Sequence, residues 1–585
     1  MARRRAEGTS FTFDLEPDDG EELFTELPVE PSRFARVAGA ARARVRAWPR
    51  RRVVAVGTAV AVVVAGGLGA AALTMQAQHR SWVQVAQTAP GAVVDLGHAP
   101  VEAWRVELEF PTPVGLVGET LVVRGRMWGS SGGVGPLHGV DLAAGRLLWT
   151  TPAPEYAECS VGGASLWIAA TQRVERGDVV VCLASDRRSV TVVDAAGQVL
   201  ASRDLAGGYW DDPAQASAVD PLDPYASYGE HRVLVTRDGG LLRIDRIGAP
   251  LPPPSFSVPD GEDLTGGIPT MTLLTPLVTR DLRVRLEDAV TGETRWETIV
   301  DSVDLPAGAE VANGSPCMGW EANGGPAVAA DQSWSDDVGP HTLATTMCGL
   351  DVTIDLATGE ILEQQDVFEP DYQPWRASST PLVDGGWGEI GFDADRDGQV
   401  QDVTTRIMRP DGSVVGVVPG VVFPPLATDG PASALLVAVS GTGTGVAAYE
   451  ADDASLRWRD GSLASPRVLA RTTQAVVVSD GAIVMALDRE TGARLWKHAL
   501  YGDTIVQPDG GYGIVDALTD GRYVSVVTPA TQGSYTDPMT GDKTTTTLDL
   551  ATGKVVWAST SDDPAPYPIA GRLYRFDHDG VVAFD

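Results

Sequence analysis

The sequence predicts an all-β body: a single β-propeller of four-stranded blades, closed by its own N- and C-terminal strands and preceded by one transmembrane helix. Eight blades are expected, within a range of seven to ten. Three observations predict this. One spacing, Asp-x3-Gly-x3-Trp, recurs along 585 residues. Long amphipathic helical patterns are scarce after residue 80, while short strand-like runs bounded by Gly, Pro and Asp are common. One run of 23 residues near the start carries no charge.

Residues 1–52 read as a cytoplasmic, disordered tail. Arg3, Arg4 and Arg5 open it, and an acidic stretch follows from Asp14 to Glu30. Phe11, Phe13, Leu23 and Phe24 could dock on a partner, but a merely solvated tail explains them as well.

Residues 53–75, VVAVGTAVAVVVAGGLGAAALTM, are expected to span a membrane. As a helix they reach about 34 Å, enough for the hydrocarbon core. Eight Arg lie in residues 33–52 before the run, and only Arg80 closely follows it. The positive-inside rule then places the N-terminus in the cytoplasm and the C-terminal body outside. A cleaved signal peptide is the competing reading. The long preceding region and the length of the run argue against it. No Cys sits near the end of the run, which excludes a lipoprotein anchor. The expected location is therefore the cell membrane, single-pass. Residues 76–98 read as a stalk, and residues 99–585 as the propeller.

The repeat is clearest in VDLAAGRLLW (Val140–Trp149), LDRETGARLW (Leu487–Trp496) and LDLATGKVVW (Leu548–Trp557). EDAVTGETRW, ending at Trp296, keeps the spacing. IDLATGEILE has Glu363 in place of Trp, and YEADDASLRW, ending at Trp458, has Ala454 in place of Gly. VDAAGQVLA (Val193–Ala201), RIDRIGAPL (Arg243–Leu251) and RPDGSVVGVV (Arg409–Val418) are more distant copies. Neighbouring copies lie about 40 to 65 residues apart, the range of propeller blades with insertions.

Each unit has a physical reading. Asp can hydrogen-bond the turn backbone, Thr-Gly supplies the reversal, and Gly is free to take φ > 0. Trp then fills the gap between neighbouring sheets. The chain ends on VVAFD, with Asp585 where the repeat's Asp belongs and nothing after it. VEAW (Val101–Trp104) looks like the missing last strand. The first strand is therefore expected to complete the last blade, which removes two exposed sheet edges. The structural Trp set is Trp104, Trp149, Trp296, Trp458, Trp496 and Trp557.

This signature resembles the PQQ-like (pyrroloquinoline quinone) repeat, over roughly residues 95–585. That family includes quinoprotein alcohol dehydrogenases and non-enzymatic relatives of the BamB type. The resemblance implies a propeller in the non-enzymatic branch, here a membrane-anchored bacterial member. Arg-for-Lys bias, with only Lys497, Lys543 and Lys554, and abundant Ala, Val and Gly fit a GC-rich, actinobacterial genome. In the dehydrogenases an adjacent-cysteine disulfide supports the quinone. No Cys-Cys pair exists in this chain, so PQQ is not expected as a cofactor and no catalytic residue is assigned.

Other enzyme patterns fail in context. GSSGG (Gly129–Gly133) matches G-x-S-x-G, yet the following residues read as loop and strand, not helix. TGDKTTTT (Thr540–Thr547) lacks G-K-[ST].

Of the 45 Lys and Arg, 12 lie in residues 1–80; of the 78 Asp and Glu, 9 do. The remaining 33 and 69 leave residues 81–585 with a formal charge of −36. Such a surface repels phosphate backbones, so nucleic acid is not an expected partner. Four Cys lie on the outer side, where disulfides persist. Pairing sequence neighbours gives Cys159–Cys182 and Cys317–Cys348, though three connectivities exist.

FDADRDGQVQD (Phe392–Asp402) places Asp393, Asp395 and Asp397 as alternating carboxylates before Gly398, the start of a Ca²⁺ loop. Thr404 stands where an EF-hand needs Glu, and the flanking strands place the loop on a hairpin. A solvated acidic turn is the plainer reading.

The function expected from all this is a non-catalytic scaffold for an envelope protein or peptide, or another ligand. A receptor signalling through the tail is the alternative, and a PQQ-dependent dehydrogenase a remote third.

Overall fold

The computed structural model describes residues 81–585 except 88, 127–133, 153–157, 163–173, 185–188, 206–230, 237, 249–255, 258–270, 277, 279, 312–318, 321–325, 328–334, 339–341, 348–349, 366–378, 383–385, 395–399, 423–424, 431–434, 440–443, 465, 501–515, 530–542 and 563–564. Residues 1–80, which include the expected tail and the apolar run Val53–Met75, lie outside the described residues. Among the described residues, no helix is long and apolar enough to cross a membrane.

The chain forms nine antiparallel four-stranded blades, not the expected eight. Blade 1 runs from Thr112 to Thr151, blade 2 from Glu158 to Asp204, and blade 3 from His231 to Val300. Blade 4 spans Ser335–Gln365, blade 5 Ser379–Pro419, and blade 6 Val421–Ala464. Blade 7 spans Arg467–Ala499 and blade 8 Asp516–Ser561. Blade 9 takes three strands from Tyr567–Phe584 and its fourth from Glu102–Glu107. RIDRIGAPL is not a blade hairpin: Gly240–Arg246 is the second strand of blade 3, paired on both sides.

The two chain ends close the ring as the sequence predicts. Trp104 pairs with Ala583, Val106 with Val581 and Glu107 with Gly580. Trp557 faces Thr547 in the same register, two residues before Asp549. Asp585 therefore occupies the repeat's Asp position.

Core clusters join consecutive blades. Leu137 and Val180 meet at the seam between blades 1 and 2. Val192 and Val233 belong to the next seam, and Leu242 and Val352 to the one after. Ile407 with Leu436, Ala448 with Val476, and Ala486 with Val524 continue the series. Leu121 and Val581 close it between blades 9 and 1.

Because strands alternate in direction, one face of the ring carries the first-to-second and third-to-fourth strand turns. We call it the turn face. The other, the loop face, carries the second-to-third connections and the links between blades. The turns of the Asp-x3-Gly repeat all lie on the turn face, and each is four or five residues long.

Residues 81–98 are not a free stalk. Residues 81–87 are helical, and the segment after them is a strap fastened to the turn face. Thr428 N–H donates to Pro90 O beside blade 7, and Val93 and Thr519 complete N–H donations with Thr519 O and Gly91 O on blade 8. Val94 N–H donates to Gly571 O on blade 9. Ala92, Val93 and Leu96 are each 1% exposed. Apolar side chains and bridging backbone amides hold this segment down, where the sequence reading saw only a linker.

Candidate functional site

Within each hairpin the Asp organises the turn as expected. Asp488 Oδ1 accepts from Glu490 N, Thr491 N and Thr491 Oγ1 at 3.1, 2.8 and 2.7 Å. The Thr491 hydroxyl and then the amides favour the charged form, holding this carboxyl below its ordinary range. Asp141 and Asp288 are held low as well, led by the backbone N–H of Ala144 and of Thr291.

The Trp acts across the seam. Trp149 Nε1 donates to Ala195 O, Trp296 to Leu356 O, Trp458 to Arg489 O and Trp496 to Leu550 O, at 2.6–2.9 Å. Each acceptor is the residue after the next blade's Asp or its equivalent. The same indole covers that blade's turn Gly. A Cβ on Gly553 would lie 2.6 Å from the Trp496 ring, and one on Gly492 would lie 2.7 Å from Trp458. Gly is needed in the motif twice over, for φ of +67° and +69° and for the indole pressed on it. Of the two reasons, only the first is local to the turn and visible in the sequence.

Three seams depart from this pattern. Glu363 stands at the Trp register opposite Thr353. Arg406 joins it to blade 5, donating from Nη2 to Glu363 Oε2 and from Nε to Glu389 Oε2, both at 2.8 Å. Trp387 Nε1 donates to Glu389 Oε1 at 2.8 Å, and Glu389 is fully buried. Burial opposes the Arg406 charge, but Glu389 and Glu363 outweigh it and hold the guanidinium above its usual value.

Between blades 2 and 3, Arg203 does the work of Trp. Its Nε donates to Ala289 O at 3.1 Å, and its guanidinium lies over Gly292. Between blades 5 and 6, Gly416 meets Ala454, whose φ of +56° takes the place of the missing Gly.

Blade 9 is special because its third strand ends the chain. The strap supplies what is missing. Asp95 Oδ1 accepts Gly97 N–H at 2.7 Å, as in the repeat turns, and Leu96 O accepts Trp557 Nε1 at 2.8 Å. Asp520 Oδ2 fixes Leu96 N–H at 2.9 Å. The signal was legible in VVDLG (Val93–Gly97), whose Asp-Leu matches Asp549-Leu550. Trp104 covers Gly145 as its counterparts do, and tilts against Tyr574 with ring centroids 5.8 Å apart. Its Nε1 is buried without a hydrogen-bond partner, and Tyr574 Oη points at Leu142 O, 3.5 Å away, instead. Trp104 is thus not the full equivalent of Trp149 and Trp557 that the sequence predicts.

Cys159 and Cys182 face each other on antiparallel strands of blade 2 and are bonded, as expected. Cys182 is fully buried among Val117, Val122 and Val180. This bridge is buried and offers no exposed platform to a planar quinone. Cys317 and Cys348 lie outside the described residues. Trp387–Ala394 and Val400–Met408 form the expected hairpin around the acidic turn, with Asp393 opposite Asp402. Asp395, Asp397 and the side chain of Asp393 lie outside the described residues.

The connections are distributed unequally. Residues 205–230, 247–281, 301–334, 366–378, 500–515 and 530–542 all join strands on the loop face. The turn face has 161–179 and 423–434 as its connections longer than ten residues. On the loop face, Phe256–Ser257, Met271–Leu273 and Glu310–Val311 pair into a small extra sheet. Leu274 and Val278 beside it are 59% and 49% exposed.

Fold and seams together define a nine-bladed β-propeller in which six of the nine seams carry a tryptophan. No family model matches the chain, and no curated protein does. Among solved structures it is similar to BamB from Moraxella catarrhalis, with 13% identity, 83% of this chain and 99% of that one covered, and a TM-score of 0.34. It is also similar to the quinohemoprotein alcohol dehydrogenase from Comamonas testosteroni, with 12% identity, 87% and 83% coverage, and a TM-score of 0.31. Likenesses this distant carry no argument about activity; the propeller rests on this chain's own strand pairing.

Proposed function

We propose that the chain is a single-pass membrane protein, N-terminus cytoplasmic, whose extracytoplasmic propeller is a non-catalytic scaffold for an envelope protein or peptide. One observation carries the docking part: six connections longer than ten residues join strand ends on one face of the ring, where Leu274 and Val278 are exposed. A rigid scaffold presenting variable loops on one side suits binding. The arginine-flanked run 53–75 supports the topology.

The test has two arms. Protease added to intact spheroplasts is expected to digest the propeller and spare an epitope at the N-terminus; the reverse overturns the orientation. A photo-crosslinking residue at position 274 is expected to trap one partner in intact cells that the same residue at position 551, on the turn face, does not. Equal labelling from both positions rejects the loop face as the docking surface.

We also propose Ca²⁺ as the ligand of Asp393, Asp395 and Asp397. Chelator is then expected to lower the melting temperature of the wild type and leave that of Asp395→Ala unmoved. An unchanged wild-type melting curve leaves only a solvated acidic turn.

A further inference from the structure

Apolar side chains left in water gather at one rim of the ring. Among the described residues, fourteen large apolar side chains are exposed, and ten of them sit within the first three residues of an outer strand or just before it. Outer strands begin at the turn face, and three residues rise only about 10 Å, so these side chains border that face. Val414, Leu456, Leu495, Val555, Val101, Leu147 and Val199 supply one each to blades 5, 6, 7, 8, 9, 1 and 2, and all are 45–65% exposed. The arc breaks at blades 3 and 4. There Arg295 bonds Asp288 at 3.0 Å, and Ile361 and Leu362 are half-buried. The midpoint of the seven-blade arc is blade 8.

An independent observation falls on the same place. The strap's backbone bonds reach Thr428, Thr519 and Gly571, beside blades 7, 8 and 9. The helical residues before it lie there as well. Trp82 covers Gly521 and Ala86 covers Gly571, at the first turns of blades 8 and 9. Trp82 Nε1 also donates to Val93 O at 3.2 Å. The chain therefore enters the propeller on the blade 8 side of the turn face. Only residues 76–80 separate Ser81 from the apolar run Val53–Met75. From Met75 to Ser81 an extended chain reaches no further than about 20 Å.

We propose that the turn face seats on the lipid surface, inclined so that blades 7 to 9 touch it and blades 3 and 4 stand off. This rests on the reading that residues 53–75 span the membrane. The short link brings the turn face to the lipid, and the apolar arc gives it something to bury there. A contiguous arc with one member per blade differs from the single apolar residues found scattered on any surface. The contact is apolar and not ionic. Residues 81–585 carry an excess of carboxylates, which gives no attraction to anionic headgroups, and turn carboxylates such as Asp488 and Asp549 accept from their own backbone amides. The loop face then points away from the membrane, where an envelope partner can reach it.

The test uses the full chain in vesicles of neutral phosphatidylcholine, with lipids brominated in their acyl chains as quenchers. An environment-sensitive fluorescent residue is placed singly at position 555, 295 or 274. Position 555, on blade 8, is expected to lose most of its fluorescence, and positions 295, on blade 3, and 274, on the loop face, to keep theirs. Leu495→Asp with Val556→Asp, both at exposed positions, is expected to restore fluorescence at 555 with the melting temperature unchanged. Quenching at 274 equal to that at 555, quenching untouched by the two Asp substitutions, or quenching at 555 that vanishes with one chain per vesicle overturns the proposal; the last would make a second copy the occupant. Equal quenching at 295 and 555 overturns the inclination. A chain that floats with the vesicles but is not quenched at 555 overturns this inference alone. A chain that does not float overturns the membrane-spanning reading and this one with it.

Discussion

Trp496→Ala is expected to destabilise the propeller by about 3–5 kcal/mol, the range for truncating a large buried aromatic. Trp496 is 8% exposed and packs into the cluster that joins blades 7 and 8. Its loss leaves the Leu550 carbonyl without its indole donor and opens a void over Gly553. Gly553→Ala is expected to be damaging from the opposite side. Its Cβ would strike the ring at 2.6 Å, at a φ of +67° that L-residues rarely adopt.

Trp104→Ala is expected to fall at or below the low end of that range, because its indole N–H has no acceptor to lose. Urea unfolding of the full chain, with hydrogen exchange across blades 7 and 8, measures the three. A Trp496→Ala shift within about 0.5 kcal/mol, as for a neutral surface change, would refute the clasp.

The second large effect concerns closure. Deleting residues 99–108 removes the fourth strand of blade 9, and deleting residues 576–585 removes the third. Either leaves unsatisfied strand edges and exposes Val581 or its partners, so cooperative folding is expected to be lost in both. A point change in the strap is expected to be milder. Leu96→Ala truncates a side chain that is 1% exposed and should cost about 2–5 kcal/mol. It keeps the backbone carbonyl that receives Trp557, so the ring stays closed. Limited proteolysis separates the outcomes: general digestion for the deletions, an intact but less stable core for Leu96→Ala. If the 99–108 deletion unfolds with the wild-type midpoint, the terminal strands do not close the ring.

The sequence by itself determined everything that lies within one hairpin. Asp, Gly and Trp fall inside ten residues, so their spacing announces the turn and the strand that follows it. Trp149, Trp296, Trp458, Trp496 and Trp557 and the hairpin around Asp393 were legible for that reason; the pairing of Glu102–Glu107 with the chain's end was legible because an incomplete repeat at one end matched the missing piece at the other. Tertiary structure alone decided how blades meet. The indole bonds across seams link residues from 31 to 461 positions apart, and no local spacing records such a partner.

That is why Arg203 in the role of Trp, the Glu363–Arg406–Glu389 seam and the strap's place on the turn face went unread. It is also why nine blades emerged where eight were expected. The hairpins that carry Gly416 and Ala454 read as degenerate copies in the sequence, and only the strand pairing shows that each closes a full blade. A sequence that resembles a hairpin, as RIDRIGAPL does, can instead be a central strand when both its edges are already paired.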